Sequence, residues 1–321
     1  MHKARYNALV LKLQIRPRSP LLIKAGGISA NPTLPDMPFV RTFHAQKGET
    51  LYIPGSSLKG VVRGFVEKVL RTLDTSGRPG PDEAKQWRWA CATFEARDEE
   101  RHDRNKWNCP QFLDEVLTKI RNQEERDLYS WEIYRYSCGA CRLFGHTRLK
   151  GRVSFTDFLP VDEVRTEIRY GVAISRLSHA VAHGPFEAEI AVAGTFEGRL
   201  VLENFELWQA GLLALALESM NQGLVQVGFG KNRGFGEVDV RVAEAVLDEA
   251  ANGAHPTVWR GLGAFVSEEE QRKYGLAAPH RVNGMPEGRV EPLGLYFRRV
   301  YTDAQWPQIA RPLIQQITAS A

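Results

Sequence analysis

The sequence predicts an α+β protein whose core has the ferredoxin-like, split βαβ arrangement. Three observations lead to this prediction: an N-terminal segment in which apolar residues strictly alternate, an amphipathic helix after it, and a later series of strands, a second helix and a final strand. The 321 residues can bury a sizeable core, and with 43% hydrophobic and 25% charged residues the composition is that of an ordinary globular protein.

The first predicted strand covers residues 9–15, "LVLKLQI". Its apolar side chains occupy every second position and so share one face, which is typical of a half-buried strand. The following segment, 24–42, holds two adjacent glycines and three prolines, which exclude regular structure.

The first predicted helix covers residues 56–73, "SSLKGVVRGFVEKVLRTL". Its apolar residues repeat with helical spacing and define one buried face: Leu58, Val61, Val62, Phe65, Val66, Val69, Leu70 and Leu73. Ser56 or Ser57 is the predicted N-cap. Gly60 and Gly64 each cost about 1 kcal/mol relative to alanine, which indicates that something approaches this helix closely.

The later elements are predicted from the same two periodicities. Alternation predicts strands at 152–159 and 168–175 and a hairpin over 186–205, "FEAEIAVAGTFEGRLVLENF". A second helix is predicted at 206–222, and a final strand follows a glycine-rich loop.

Composition divides the chain into three parts. Residues 1–73 and 142–249 form the predicted core, and residues 74–141 form an insertion with linker-like and highly charged stretches and one short helix at about 111–122. Residues 250–321 are a C-terminal extension in which no clear periodicity assigns secondary structure.

The four cysteines lie in or at the border of the insertion: Cys91, Cys109, Cys138 and Cys141. "CGAC" has the C-x-x-C spacing that lets two sulfurs reach one tetrahedral zinc ion. Cys91 and Cys109 can supply the second pair, with His102 as a substitute ligand. A redox C-x-x-C would follow a strand and open a helix, and unrelated buried thiols are a third alternative; the position in a polar insertion favours structural zinc.

A glycine-rich loop at 228–236, "GFGKNRGFG", carries the cations Lys231 and Arg233. Glycines let backbone N–H groups approach phosphates, and the two cations add charge. The glycine spacing fits neither a dinucleotide-binding fingerprint nor a P-loop. A turn that needs positive φ angles explains the glycines but not both cations, so both interpretations stay open at this point.

The remaining candidates for chemistry are isolated. None of the histidines lies in a recognisable triad or metal spacing: His44, His146, His179 and His183. Asp36 follows Pro35 in the proline-rich segment and, without further information, is an ordinary turn residue.

Charge and hydropathy limit the partners and the compartment. A net charge of +4 is compatible with a polyanionic partner without requiring one. The N-terminus "MHKARYNALV" has no apolar signal segment, and the longest apolar stretch, 210–217, is far too short to span a bilayer. We therefore expect a cytoplasmic protein with no membrane partner, in which thiols are reduced and cysteines more often bind metal than form disulfides.

Three segments together resemble the RAMP superfamily of CRISPR-associated proteins, in particular the repeated backbone subunit of type III (Csm/Cmr-like) effector complexes. The segments are "YIPGSSLKGVVRGF" (52–65), "CRLFG" (141–145) and "GFGKNRGFGEV" (228–238), in this order. The resemblance covers about 1–73 and 138–245. It implies a modified RRM-like, ferredoxin-like core with a thumb hairpin, and members that stack along a CRISPR RNA with other effector subunits, including copies or homologues of themselves.

The resemblance also implies roles for individual residues. Ser56, Ser57 and the helix N-terminus would hold a phosphate of the CRISPR RNA, with Lys59 and Arg63 adding charge and Gly60 permitting close approach. In the family a loop aspartate cleaves the target RNA with a divalent metal such as magnesium, and "PDMPFVR" puts Asp36 in that position.

A second family segment, "I-D-R-x-T", precedes the thumb that wedges between guide and target bases. The corresponding "AISRLSHAVAHGPFE" keeps Arg176, has Ser175 in the place of the aspartate, and has Ser178 in the place of the threonine. No RRM-type aromatic platform is evident, so binding is expected to depend on phosphate and shape contacts more than on base stacking.

The leading functional hypothesis is a guide-RNA-binding backbone subunit that is also a metal-dependent endoribonuclease acting on target RNA. RNA binding would involve Ser56, Ser57, Lys59, Arg63, Arg176, Lys231 and Arg233, and cleavage would involve Asp36. The alternatives are a backbone subunit without catalysis and a stand-alone ribonuclease that processes precursor RNA with a histidine base.

Overall fold

A computed structural model describes residues 3–26, 35–73, 90–97, 99, 106–123 and 127–319. The protein is a mixed α+β structure. Its helices are α1 (Gly55–Leu73), α2 (Cys109–Phe112), α3 (Thr118–Gln123), α4 (Ser130–Arg135), α5 (Gly139–Phe144), α6 (Leu207–Asn221), α7 (Glu268–Tyr274) and α8 (Trp306–Ala319). Its strands are β1 (Asn7–Pro17), β2 (Arg41–His44), β3 (Gly48–Leu51), β4 (Val153–Phe155), β5 (Leu159–Pro160), β6 (Arg165–Ile174), β7 (Val181–Ala193), β8 (Phe196–Glu203), β9 (Val238–Ala250), β10 (Trp259–Arg260), β11 (Arg281–Val282), β12 (Arg289–Leu293) and β13 (Tyr296–Thr302).

Within the described residues, seven strands form the main sheet in the order β12-β13-β9-β1-β8-β4, with β5 also paired to β8. The pairs are antiparallel, and β1 is paired along most of its length with β8 on one side and β9 on the other. The predicted first strand is confirmed and extends to Asn7–Pro17. Its alternating residues Leu9, Leu11, Leu13 and Ile15 are all buried.

Two long helices pack against this sheet. Helix α1 contacts β4 and α6, and α6 contacts β9. Both helices were predicted within one residue of their observed ends, because each carries a long and consistent apolar pattern. None of the described helices combines the length and apolar content that a bilayer crossing requires.

The predicted hairpin over 186–205 is wrong. Strand β7 pairs with β6 in a separate two-stranded ribbon, whereas β8 pairs with β1 in the main sheet. Gly194 separates the two strands with a φ of 116°, a conformation that favours glycine. Alternation identified both segments as strands, but alternation carries no information about which strand each one pairs with.

The segment after residue 250 belongs to the same sheet and core. Strand β13 pairs with β9, and β12 pairs with β13. The buried Trp259 indole donates a hydrogen bond to the Tyr301 hydroxyl at 2.9 Å. Helix α8 packs on α6. The C-terminal segment therefore widens the sheet and covers the second helix.

The α6–α8 contact depends on Gly211. A Cβ at this position would lie 2.2 Å from the Leu313 carbonyl oxygen, so a larger residue must push α8 away. We expect Gly211→Ala to lower the free energy of unfolding by about 1–3 kcal/mol. The matched control is Gly64→Ala in α1, where no described atom outside the helix backbone lies within 4 Å of the added methyl; it should stabilise by up to about 1 kcal/mol.

Denaturant unfolding of the two variants measures both effects. A Gly211→Ala variant as stable as the Gly64→Ala variant would show that α8 does not pack closely on α6.

Candidate nucleic-acid interface and metal centre

An open groove of about 430 Å³ brings the start of α1 together with the glycine-rich loop. Its lining residues are Ile23, Lys24, Ser57, Gly60, Val61, Gly228, Phe229 and Lys231. Two of the sequence motifs, far apart in the chain, therefore form the two sides of one groove. Among the described residues, no atom outside the helix backbone lies within 4 Å of a Cβ built on Gly60, so their packing does not explain this helical glycine.

The start of α1 differs from the predicted N-cap. The helix begins at Gly55, whose N–H donates to Asp157 Oδ1 at 2.9 Å, so Asp157 caps the helix and neither serine does. A Cβ at Gly55 would lie 2.5 Å from the Phe155 carbonyl oxygen, so glycine allows the helix to start against β4. Ser56 is exposed and Ser57 is half-buried in the first turn of α1. A phosphate bound at this helix end would therefore lie near the negative charge of the Asp157 carboxylate.

Of the two lysines in the motifs, Lys231 lines the groove, whereas Lys59 lies near the start of α1 and is not among its lining residues. Lys231 is exposed. Lys59 is half-buried, and burial, followed by the nearby Arg63 cation, lowers its pKa. An anion bound near Lys59 would oppose this effect and favour its charged form.

Arg63 makes internal contacts. Its guanidinium donates to Glu67 Oε1 at 2.9 Å, to the Gly145 carbonyl oxygen at 3.2 Å and to Cys141 Sγ at 3.7 Å. Burial opposes its charge, but the Glu67 hydrogen bond and the nearby Cys141 raise the pKa of Arg63 overall. Arg63 therefore links α1 to the cysteine cluster.

The glycine-rich loop is held by its glycines. Lys231–Arg233 form one 3₁₀ turn between Gly230 and Gly234, whose φ angles are 75° and 78°. The turn interpretation of the glycines is therefore confirmed. The Arg233 guanidinium carbon lies 5.9 Å from the Phe186 ring centroid and 6.0 Å from that of Phe229.

Asp36 is exposed at the base of the β6–β7 ribbon. Its Oδ2 accepts a hydrogen bond from the Glu187 N–H at 2.8 Å. The next residue is anchored too: Met37 N–H donates to the Glu187 carbonyl oxygen at 2.9 Å, and Glu189 N–H donates to the Met37 carbonyl oxygen at 3.0 Å. The carboxylate is thus held at a defined place by β7.

The β6–β7 ribbon projects apolar side chains into solvent. These exposed residues are Ile168, Tyr170, Val172, Ile174, Leu177 and Val181. At its tip, Ser175 Oγ accepts hydrogen bonds from the N–H groups of Leu177 at 3.3 Å and Ser178 at 3.2 Å. Arg176 is exposed in the same turn.

The four cysteines meet in one buried cluster in which all four sulfurs lie within 4.8 Å of one another. Cys91 and Cys109 come from the described parts of the predicted insertion, while Cys138 is the N-cap of α5 and Cys141 lies in its first turn. Hydrogen bonds from the Cys109, Cys138 and Cys141 thiols lower the pKa of Cys91, whereas burial raises the pKa of Cys109. His102 lies outside the described residues.

The geometry of the cluster fits a tetrahedral metal ion. With Zn–S bonds of about 2.3 Å, the edge of the sulfur tetrahedron is about 3.8 Å. Cys91 Sγ and Cys141 Sγ are 3.8 Å apart, too far for a disulfide. Backbone N–H groups donate to two of the sulfurs, Cys138 N to Cys109 Sγ at 3.2 Å and Cys141 N to Cys138 Sγ at 3.4 Å. The cluster could hold a metal such as zinc.

His146 lies on the chain just after this cluster. Its Nε2 is 2.9 Å from Ser137 Oγ, and Ser137 donates its hydroxyl proton to the Ile133 carbonyl oxygen at 2.6 Å. Burial lowers the pKa of His146 to about 4. His146 is therefore neutral at pH 7 and donates a hydrogen bond to Ser137, which is a packing role.

Comparison with protein families gives one result. The family model of the RAMP superfamily matches residues 14–239, well over half of the chain. The chain belongs to the RAMP superfamily, a CRISPR-related family of RNA-binding proteins. Its members generally bind CRISPR RNA and other effector subunits, and some are ribonucleases. No protein with a curated description gives a significant match to this chain.

Proposed function

We propose that the protein is a backbone subunit of a type III CRISPR effector complex, which binds guide RNA in the groove between α1 and the glycine-rich loop. The observation that carries the proposal is the groove itself, because it joins two segments of the family motif around an open, lysine-bearing space. The guide backbone would run past Ser56, Ser57, Lys59 and Lys231. Arg63 would act through its charge, since its hydrogen bonds go to the protein.

The strand order supports an RRM-like, split βαβ core. Strands β1 and β4, joined through α1, are separated in the sheet by β8. Strands β8 and β9, joined through α6, are separated by β1. Two interleaved βαβ units are what this fold requires. The β6–β7 ribbon would be the thumb, with Arg176 at its tip near guide and target bases.

Asp36 would supply the catalytic carboxylate at the base of this thumb. Among the described residues, the cysteine cluster is the one group of three or more metal-ligating side chains close enough to share an ion. A divalent metal such as magnesium would therefore be held by Asp36 together with RNA phosphates and water, as magnesium sites often are. Such a metal offsets the negative charge that builds on a phosphate during cleavage.

The same observation favours a second candidate, a backbone subunit that binds guide RNA without cutting. One exposed carboxylate with no preformed metal site is also what a non-catalytic subunit would show. Target-RNA cleavage that stops when EDTA is added, and that returns when magnesium is restored to protein that has kept its zinc, supports the catalytic subunit and excludes a metal-independent histidine mechanism.

The cysteine cluster would hold a structural zinc ion. It lies against α1 through Arg63, and the Arg71 guanidinium of the same helix donates to the Cys91 carbonyl oxygen at 2.9 Å. The ion would thereby fix the insertion to the RNA-binding helix rather than take part in chemistry.

The salt dependence of RNA binding tests the groove. We expect Lys59→Ala and Lys231→Ala each to weaken binding for all RNA sequences alike, and each to reduce the slope of log K against log salt by about 0.7, because each removes one phosphate contact. The measurement is a titration of labelled guide RNA at several salt concentrations. The matched control is Lys68→Ala, an exposed lysine more than two turns further along α1 from the helix N-terminus at which the phosphate is proposed to bind. A loss confined to particular sequences, or an equal loss for Lys68→Ala, would contradict the groove as the RNA site.

A further inference from the structure

Phe229 places an aromatic ring in the groove, which the sequence did not indicate. Its side chain is 40% exposed although it is a large apolar residue. It lines the groove with Ser57, Gly60 and Lys231. An exposed phenylalanine among cations in a concave site calls for a ligand with an apolar face.

The backbone holds this ring in a defined position. Phe229 N–H donates to the Leu22 carbonyl oxygen at 2.8 Å. The preceding Gly228 has a φ of 84°, and a Cβ there would lie 2.3 Å from the same carbonyl oxygen. The ring is therefore preorganised, and little conformational freedom is lost when a ligand contacts it.

Arg233 supports the ring from within the loop. Its guanidinium carbon is at a similar distance from the Phe186 and Phe229 rings, 5.9 Å and 6.0 Å, which is within cation–π range. The contact ties the glycine-rich loop to β7. Arg233 is thus suited to position Phe229.

The space beside Phe229 suits a ligand that combines a flat ring with a negatively charged backbone. Gly60 contributes no side chain on the α1 side of the groove, and in the part of the chain that the structure describes no neighbouring atom lies within 4 Å of where its Cβ would be. Lys24 and Lys231 line the same space. An aromatic face beside cations is the arrangement by which proteins bind single-stranded nucleic acids, since bases stack on the ring and phosphates meet the cations.

We propose that Phe229 stacks on one base of the bound RNA strand and that Arg233 is its positioning residue. This inference rests on the proposed function and adds to it a base-contacting subsite within the phosphate-binding groove. Every base has a π-face, so the subsite accepts any base at that position and adds affinity without reading sequence.

A substitution series at Phe229 tests the stacking. We expect Phe229→Ala to weaken guide-RNA binding by roughly 5- to 100-fold, with an unchanged salt slope because no phosphate contact is lost. Phe229→Trp should keep the affinity, and its fluorescence should be quenched by bound RNA. Phe229→Leu introduces an apolar side chain that is not aromatic, and its loss of RNA affinity should be nearly as large as that of Phe229→Ala.

A double-mutant cycle with synthetic guide RNAs identifies the base. Each RNA carries one abasic site, and all positions are scanned. At the position whose base stacks on Phe229, removing the base should weaken binding to the wild type but should not weaken binding to Phe229→Ala any further. If several protein copies bind one RNA, one such position is expected for each copy. Arg233→Ala should reduce that coupling. Phe43→Ala, which removes an 80% exposed ring on the β2–β3 hairpin outside the groove, should change nothing.

The outcomes separate this inference from the proposed function. If the Lys59 and Lys231 variants lose binding and salt slope while Phe229→Leu binds like the wild type and no abasic position is coupled, stacking is refuted and the groove stands. If none of these variants alters RNA binding, the proposed function fails as well. A Phe229→Ala defect that appears only in association between protein copies would make the ring a protein contact and overturn the inference.

Discussion

Asp36→Ala is expected to stop cleavage of guide-paired target RNA while the guide RNA stays bound. The side chain is exposed, so truncation should remove little packing; its one hydrogen bond among the described residues is with the Glu187 N–H. A metal held at this carboxylate would contribute several kcal/mol of charge stabilisation in the transition state. At about 1.4 kcal/mol for each tenfold in rate, the loss is on the order of a hundred- to a thousandfold.

Asp36→Asn sharpens this experiment. An asparagine Oδ1 can still accept from the Glu187 N–H, so the loop keeps its anchor while the negative charge is lost. Cleavage should fall as far as in the alanine variant, whereas guide and target binding, measured by titration, should match the wild type. The control is Glu269→Gln, which removes an exposed carboxylate on α7.

Single-turnover cleavage of a labelled target by the assembled complex is the measurement. If Asp36→Asn cuts at the wild-type rate, the catalytic assignment is wrong and the binding-only subunit becomes the better account. If Glu269→Gln is equally slow, the loss reflects general damage.

The elements that the sequence predicted well are those that local pattern determines. Strand β1 and helices α1 and α6 each have one buried face, and periodicity alone identifies such a face. The cysteine cluster was predictable for a chemical reason, because C-x-x-C spacing and two further cysteines in one insertion suit a tetrahedral ion. The structure indeed brings all four sulfurs within 4.8 Å.

The features that were missed depend on partners distant in the chain. Asp157 caps α1 from the loop before β5, so no local signal at Ser56 or Ser57 could reveal it. The internal contacts of Arg63 with Gly145 and Cys141 depend on where the insertion packs.

The groove itself illustrates the same limit. The sequence places Phe229 in a glycine-rich loop, but its exposure beside Gly60 follows from the tertiary packing of that loop on the segment around Leu22. Each motif can be recognised from neighbouring residues, whereas the groove forms only when the folded chain brings the two motifs together.

The cysteine cluster gives the prediction with the largest effect on stability. All four cysteines belong to the main hydrophobic core, next to α1 and α5. Structural zinc contributes roughly 10–16 kcal/mol of apparent binding free energy in small zinc domains, comparable with the whole stability of a typical domain. We therefore expect Cys138→Ser to lower the melting temperature by on the order of 10 °C or more and to reduce the zinc content from one ion per chain to nearly none.

Two further measurements separate loss of a ligand from loss of packing. A zinc-selective chelator should lower the melting temperature of the wild type but leave that of Cys138→Ser unchanged, because the variant has no ion to lose. Cys138→His should recover part of the zinc content and of the stability, since an imidazole nitrogen can replace a thiolate in a tetrahedral site. Metal analysis that finds no zinc in wild-type protein purified without chelators would contradict the assignment. A wild-type melting temperature that does not change on adding the chelator would contradict it as well. The proposed ion joins Cys91 and Cys109 to α5, and Arg63 and Arg71 connect the cluster to α1, so removing the ion must loosen these contacts.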